Sequence, residues 1–274
     1  MTSTGAAGET AGRLGALSRL VCCDTADFAD QYWSRRPLLS RAQALPSNFA
    51  DLFGAAAVDE LISQRGLRTP FFRMAQDGTV LPAGRYTRSG GAGAAINDQA
   101  ADDRVLDLLA GGATLVLQAL HRTWPPLVHF AGTLARELGH PVQVNAYVTP
   151  SQNRGFAAHY DTHDVFVLQV AGAKRWSVHA PVVPAPLPSQ PWQDNAAAVA
   201  ARATEPPQID AVLEPGDALY LPRGYIHSAT ALGTTSIHLT VGRDKKPADY
   251  GILVGFQLTK AQLDYNRRAG RYAP

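Results

Sequence analysis

A chain of 274 residues, 46% hydrophobic and 18% charged, is long enough for one large folded domain and too apolar for global disorder. Its formal net charge of +2 gives no argument for a nucleic-acid partner or for an anionic membrane surface. Because the sequence contains no uninterrupted run of about 20 apolar residues, it predicts no transmembrane helix.

Two features of the sequence bear on the location of the protein: the pattern of the N-terminal residues and the cysteines. The first residues lack a charged start followed by an apolar segment, so the pattern does not predict a secretory signal. Cys22 and Cys23 are the only cysteines and are adjacent, which suits neither a disulfide bond nor a zinc site. We therefore expect a reducing cytoplasmic location, with no membrane contact and no direct nucleic-acid contact.

The first half of the chain predicts mostly helices. Residues 1–12 are small and polar and indicate a disordered N-terminus. Apolar residues recur at helical spacing from Leu14 to Trp33 and from Asp51 to Gln64. A short strand at Thr69–Met74 precedes an Asp77-Gly78 turn, and glycine-rich residues 83–98 predict a mobile loop. A buried strand and a helix complete this half, at Ala113–Leu120 and Leu127–Leu138.

The second half of the chain predicts strands. Short β-branched and aromatic runs are separated by glycine and proline, at Val142–Val148, Val165–Val170, Arg175–Val178, Ala218–Leu221 and Ser236–Val241. Strands at such spacing are typical of a sandwich or barrel. Proline- and alanine-rich residues 180–208 predict a long connection. The expected fold class is mainly β with α: a barrel-like core under a helical N-terminal cover.

A candidate metal site lies within the predicted strands. Residues i and i+2 of a strand point to the same face, so His159 and Asp161 of the sequence His-Tyr-Asp are expected to converge. His227 follows a Pro-Gly turn, a strand and a Pro-Arg-Gly turn, and is the candidate third ligand. Two imidazoles and one carboxylate leave positions free on Fe(II) for a cosubstrate and O₂.

A candidate cation follows the same segment. Lys174 carries an ammonium on a long stem that can reach into an apolar pocket and pair with a carboxylate, as the cosubstrate 2-oxoglutarate requires. On spacing alone, a surface lysine at a hairpin is an equal alternative.

Five motifs occur in the order found in one known family. The string H-x-D-x-x-D-V-F-x-L-Q-x-x-G-x-K-x-W runs from His159 to Trp176. The others are the segments Gln31–Leu39, Asn145–Pro150, Pro215–Ala229 and Ser236–Thr240. Together, from about residue 28 to about residue 243, they resemble the JmjC-type ribosomal oxygenases.

The resemblance implies both a fold and an activity. It implies a double-stranded β-helix (cupin-type) catalytic domain over residues 13–243 that binds Fe(II) through His159, Asp161 and His227. Lys174 would hold the distal carboxylate of 2-oxoglutarate, and Asn145 and Tyr147 would line the same pocket. Enzymes of this family hydroxylate an arginine or histidine side chain of a ribosomal protein.

One departure from the family concerns the C-terminal part. Residues 244–274 predict only a short helical extension, whereas the family has a helical dimerisation region and a winged-helix-like domain. We therefore expect a protein or peptide substrate, with the ribosomal protein, another peptide and a homodimer all left open.

Two alternative functions use the same residues. One is a cupin-fold isomerase or dioxygenase that does not use 2-oxoglutarate, and the presence of Lys174 argues against it. The other is a non-catalytic cupin binding module. Among the remaining histidines, His163 has the strand parity of the ligands and is interpreted as a pocket wall, and His238 as a core residue.

Overall fold

The computed structural model describes residues 15–91, 95–153 and 156–243. Its α-helices are α1 Thr25–Gln31, α2 Ala55–Ser63, α3 Asp102–Ala110, α4 Leu120–Thr123, α5 Pro125–Leu138 and α6 Ala196–Arg202. Its strands are β1 Leu38–Ser40, β2 Phe72–Gln76, β3 Thr79–Val80, β4 Thr87–Gly90, β5 Ile96–Ala100, β6 Thr114–Leu117, β7 Val142–Thr149, β8 Val165–His179, β9 Ile209–Leu213, β10 Ala218–Leu221 and β11 Ile226–Arg243. The predicted segments 1–12 and 244–274 lie outside the described residues.

The centre of the fold is a long antiparallel ribbon made by β8 and β11. The two strands pair from Ile226 opposite His179 to Gly242 opposite Val165, with a bulge between Leu232 and His238. The ribbon lies inside a sheet whose strand order is β1-β10-β8-β11-β7-β6-β2-β3, with β9 also paired to β8. Because β10 pairs with the first half of β8 and β9 with its second half, each half of the ribbon belongs to a different part of the sheet.

The bulge divides the ribbon into two halves that pack against each other. Gly172 adopts φ +61 beside it, and buried Gln169 donates its amide to the carbonyl oxygens of Ala171 and Gly172 at 2.9 and 3.0 Å and to Ser236 Oγ at 2.9 Å. Apolar side chains from both halves of β8 then share one buried cluster with β9 and β10, formed by Val165, Val167, Trp176, Val178, Leu213, Leu219 and Leu221.

The outer face of the sheet carries the helices. One buried cluster joins side chains of α1, α2 and α5 to the sheet, including Phe28, Leu61, Leu134, Phe166 and Tyr220. Pro at the first turn of α5 and Gly139 at φ +71 after its last turn fix both ends of that helix. The expected class, a mainly β core with a helical N-terminal cover, is confirmed.

Three local expectations are wrong. The described part of residues 83–98 is not a loop, because it contains β4 and the start of β5. These strands pair in a small two-stranded sheet of mostly polar residues, which is held by backbone pairing and not by an apolar face. The helical pattern from Leu14 to Trp33 is split into a 3-10 turn at Leu17–Arg19 and α1, since Asp24 caps a new helix. The two predicted strands at 165–178 are one continuous strand, β8.

The helices of the described part of the chain include none that is both long enough and apolar enough to cross a membrane.

Glycine at the bulge has a measurable consequence. We expect Gly172→Ala to lower the free energy of unfolding by roughly 2–4 kcal/mol, because the positive φ is strained for alanine and its Cβ would clash with the carbonyl oxygen of Thr235. Gly233→Ala is the matched control, at φ +66 with nothing within 4 Å of a Cβ. Chemical denaturation of both variants checks this, and equal losses would show that crowding at the bulge contributes nothing.

Candidate active site

The candidate site occupies a cavity of about 370 Å³ between the two halves of the ribbon, called here the triad cavity. Strands β7, β8, β10 and β11 form most of its walls. Arg73 of β2 also contributes, as do Phe156 and Trp192 of two connections. Other side chains that line it are Tyr147, Thr149, His159, Asp161, Val165, Val167, Lys174, Trp176, Leu221, His227, His238 and Thr240. A larger groove of about 1030 Å³ lies between residues 15–19 and α5, away from these side chains.

Three side chains converge in the triad cavity. His159 and His227 face each other in a backbone bridge, with His159 N donating to His227 O at 3.1 Å and His227 N donating to His159 O at 2.8 Å. Asp161 O accepts from Gly224 N at 2.9 Å, so the turn before β11 holds the carboxylate residue in place. One potential ligand atom from each of His159, Asp161 and His227 lies within 4.8 Å of the others.

Hydrogen bonds select the histidine nitrogen that faces the centre of the group. His159 Nδ1 donates to Ala157 O at 2.7 Å, and His227 Nδ1 donates to Tyr225 O at 3.0 Å. Each Nε2 therefore keeps its lone pair, and His227 Nε2 lies 3.8 Å from Asp161 Oδ2. Carbonyl partners of this kind orient imidazole ligands in metal sites.

The electrostatics favour neutral imidazole at His227. Burial, and then the neighbouring His159, lower the pKa of His227 to about 4, so a proton does not compete for its Nε2 near neutral pH. Two imidazoles and one carboxylate beside open cavity volume fit a divalent metal ion such as Fe(II) that retains free positions. The residues predicted as ligands are thus brought together by the structure.

Lys174 lies in the same cavity and is not at the surface. It points inwards from the second half of β8, is 3% exposed, and donates to Thr149 Oγ1 at 3.1 Å. No carboxylate among the described residues forms an ion pair with it, and burial lowers its pKa from 10.5 to about 7. A buried ammonium without an anionic partner suits an anionic ligand, and the surface alternative for Lys174 is excluded.

Aromatic rings form the wall between Lys174 and the metal-binding side chains. Tyr147 stacks on His238 at 4.9 Å between ring centroids, and His238 meets Trp176 edge-on at 5.4 Å. The sequence predicts a core histidine at His238. The side chain is buried, and it also lines the cavity because β11 turns that face inwards. Burial, and then the charge of Lys174, lower the pKa of His238 well below its usual value.

Asn145 occupies a different position from the one expected. It lies on the same face of β7 as Tyr147 but lines a neighbouring cavity, and its Oδ1 accepts from Ala119 N at 3.0 Å. His163 also lines that neighbouring cavity. The strand parity used to place His163 fails because residues 160–163 are not in a strand, although His159 and Asp161 still converge.

Three residues of the cavity escaped the sequence interpretation. Arg73 had a usable signal, since it is a charged residue inside the apolar run Phe71-Phe72-Arg-Met74 of a strand. Phe156 and Trp192 come from connections, where an isolated aromatic residue gives no signal of where it packs. Their rings lie 6.0 and 6.3 Å from the His159 ring.

Comparison with known proteins shows which family model and which relatives this chain resembles. Residues 122–249 match the family model described as the JmjC domain. Ribosomal oxygenase 1 of Gallus gallus is 33% identical over 217 residues, which cover 78% of this chain and 34% of the relative. The chain carries a JmjC domain similar to that of the ribosomal oxygenases.

Further relatives define the extent of the match. The bifunctional lysine-specific demethylase and histidyl-hydroxylase NO66 of Aedes aegypti is 30% identical over 229 residues, covering 78% of this chain and 32% of that protein. This JmjC chain therefore spans about a third of the length of these curated relatives. The ribosomal oxygenase YcfD of Escherichia coli, solved with cobalt and 2-oxoglutarate, has the same fold at a TM-score of 0.53 and 18% identity, covering 92% of this chain and 66% of YcfD.

Metal binding tests the ligand set directly. We expect Asp161→Ala to weaken Co(II) or Fe(II) binding by more than the ~10–100-fold that loss of an outer-sphere partner costs, because a ligand itself is removed. Asp164→Asn is the control, since its buried carboxylate accepts hydrogen bonds from Ser34, Tyr220 and Arg223 and belongs to the scaffold. Titration calorimetry measures both. Undiminished metal binding by Asp161→Ala would remove Asp161 from the ligand set.

Buried Lys174 also predicts a pH-dependent stability. Its folded pKa lies below its unfolded value, so the unfolded chain binds more protons between about pH 7 and 10.5, and stability rises with pH in that window. Lys174→Met should raise the free energy of unfolding at the lower end by ~1–4 kcal/mol, with the gain shrinking towards the upper end. Denaturation of wild type, Lys174→Met and the exposed-site control Arg175→Gln at several pH values measures this. A pH-independent difference would contradict it.

Proposed function

We propose that the chain is an Fe(II)- and 2-oxoglutarate-dependent oxygenase that hydroxylates an amino-acid side chain of a protein or peptide. The observation that carries the proposal is the presence, in one cavity, of two imidazoles, one carboxylate and a buried lysine without an anionic partner among the described residues. A structural metal site would fill its coordination with protein ligands, whereas three ligands beside open volume leave room for reactants.

Each part of the triad cavity has a role in this proposal. His159, Asp161 and His227 would hold Fe(II), and Lys174 with Thr149 would bind the distal carboxylate of 2-oxoglutarate. Apolar side chains at Val165, Val167, Trp176 and Leu221 line the space between them and limit the entry of water. Burial of Lys174 strengthens its attraction for an anion, because few water molecules screen the pair.

The reaction proposed couples two oxidations. Iron with bound cosubstrate supplies the oxidising power by which O₂ converts 2-oxoglutarate to succinate and CO₂ while one oxygen atom enters a C–H bond of the target. The protein's own part is to hold the three metal ligands together, fix the cosubstrate through Lys174, and place the target side chain beside them.

The target enters the proposal through the relatives. The names Ribosomal oxygenase 1 and histidyl-hydroxylase support a side chain of a ribosomal protein, and the second name supports histidine. The resemblance stated from the sequence adds arginine as the other expected residue. Trp192 and Gln193 of the 180–208 connection line the triad cavity, while none of the described residues of 83–98 does. Substrate recognition is therefore proposed for the 180–208 connection and the β2–β3 hairpin. A cytoplasmic location and a homodimer stay predictions.

A succinate assay tests the function. Purified protein with Fe(II), ascorbate and 2-oxoglutarate is expected to produce succinate slowly without a target, and His159→Ala to produce none. Lys174→Met should raise the KM for 2-oxoglutarate by roughly 10–100-fold, because a charge-assisted contact to the carboxylate is lost. Arg175→Gln is the matched control, since Arg175 is next to Lys174 in sequence but is exposed and paired with Asp210.

The other outcomes point to the alternative functions. Metal binding without succinate from the wild type would favour an isomerase or dioxygenase that does not use 2-oxoglutarate. Failure to bind metal would favour a non-catalytic module. Equal KM values for wild type and Lys174→Met would remove Lys174 from the cosubstrate site.

A further inference from the structure

A second cavity, of about 240 Å³, adjoins the triad cavity and is called here the side cavity. Asp161, Arg73, Tyr147, Val165 and Thr240 line both cavities, so the metal-ligand carboxylate lies at their boundary. The rest of the side cavity is mostly polar, being formed by Gln118, Ala119, Gln143, Asn145, His163 and Gly242. A group held in this cavity would lie directly beside the metal-binding side chains.

Arg73 is the cation of the side cavity. It extends from β2, opposite Val116 of β6, and its guanidinium lies 6.0 Å from the centre of the Phe156 ring. Its Nε is buried without a hydrogen-bond acceptor, and no carboxylate of the described residues lies within ion-pair distance of it. Leaving a buried guanidinium N–H without an acceptor is unfavourable, so the position favours a ligand that supplies one.

The uncharged side chains of the cavity add further donors. Asn145 already uses its Oδ1 to accept from Ala119 N, which leaves its amide N–H groups for the cavity. Arg73 and Thr240 both lie within hydrogen-bonding reach of the Tyr147 hydroxyl. Among the described residues of its wall, Asp161 is the one carboxylate, and the metal would engage it. This described wall therefore offers donors and a positive charge, with no further carboxylate.

We propose that the side cavity binds the target side chain and that Arg73 determines its class: an uncharged or anionic side chain with a hydrogen-bond acceptor, and not an arginine. The inference rests on the proposed function and narrows its target. An arginine would place a second guanidinium beside Arg73, and the two positive charges would repel each other. An aspartate, an asparagine or a neutral histidine would instead accept hydrogen bonds from Arg73 and Asn145.

The positions of the two cations separate target from cosubstrate. Lys174 lines the triad cavity only, whereas Arg73 lines both cavities. A cosubstrate bound through Lys174 extends from the second half of β8 towards the metal-binding side chains. The target side chain then approaches the same point from the β2 side, past Arg73 and Tyr147.

Binding to catalytically inert protein tests the class of target. The protein is loaded with Co(II) and 2-oxoglutarate, and titrated with acetylated, amidated pentapeptides that carry two glycines on each side of a central aspartate, asparagine, histidine or arginine. Calorimetry or ligand-observed NMR measures the dissociation constants. We expect the arginine peptide to bind at least roughly tenfold more weakly than the aspartate and asparagine peptides.

Variants assign this preference to one side chain. Arg73→Gln should reduce the preference for the aspartate over the arginine peptide by roughly 10–100-fold, and Arg73→Lys should retain most of it. Arg68→Gln removes an exposed cation of the preceding loop, paired with Asp98, and should change nothing. Thermal unfolding of each variant verifies that the fold is intact.

The overturning results are distinct from failure of the oxygenase function. Tight binding of the arginine peptide, or no measurable binding of any of the peptides, overturns the proposed class of target. An Arg73→Gln variant that weakens 2-oxoglutarate binding while leaving peptide preference unchanged would make Arg73 a cosubstrate residue, which also overturns it. Absence of succinate from the wild type with Fe(II) overturns the oxygenase, and leaves the peptide preference with Co(II) to be judged by itself.

Discussion

The candidate site depends on one backbone interaction, the reciprocal pair of hydrogen bonds between His159 and His227. These residues are 68 positions apart in the sequence, and the pairing between their segments is limited to this one bridge. The bridge sets the two imidazoles side by side, with 4.5 Å between ring centroids. The β8–β11 ribbon makes the bridge possible, because it carries His227 at the start of β11, opposite Val178. Loss of the bend at Gly172 would separate the two halves of the ribbon and with them the walls of the triad cavity.

A second constraint is the burial of positive charge. Lys174 and Arg73 both lie in the walls of the triad cavity, and neither has an ion-pair partner among the described residues. Lys174 is buried, and its desolvation reduces the stability of the folded chain because no partner offsets it. Arg73 is half-buried, and its Nε is buried without an acceptor. A fold retains them when a ligand supplies the anion or acceptor, and the two cations here would be matched by two different ligands. Stability and binding are therefore set against each other at the same residues.

The sequence patterns identified side chains that the structure brings together in the triad cavity, and they were less accurate for the bounds of helices and strands. The His159 and Asp161 spacing, the distant His227, and Lys174 were all found, because their motifs are short and keep a fixed distance from strands with clear apolar patterns. The reason given for the first pair was wrong: residues 160–163 are not in a strand, and convergence comes from the bridge to β11. A charge inside an apolar strand marks Arg73 as unusual, but its position beside Asp161 depends on the order β7-β6-β2 in the sheet, which no local pattern contains. The hairpin of β4 and β5 was missed because glycine and polar residues dominate it.

The residues proposed to hold the metal and the cosubstrate and the residue Arg73, proposed to select the target, lie in different segments of the chain. All the proposed metal and cosubstrate residues lie within residues 122–249, the part that matches the JmjC domain. Arg73 lies before that part, on a strand that reaches the site only because β2 pairs with β6 and β6 with β7. A strand added at the side of the sheet can change the charge beside the metal-binding side chains without altering the ribbon that holds them. In these proposals the metal and cosubstrate residues lie on the β8–β11 ribbon and the segments beside it, whereas the residues proposed to recognise the target lie on β2 and in the 180–208 connection.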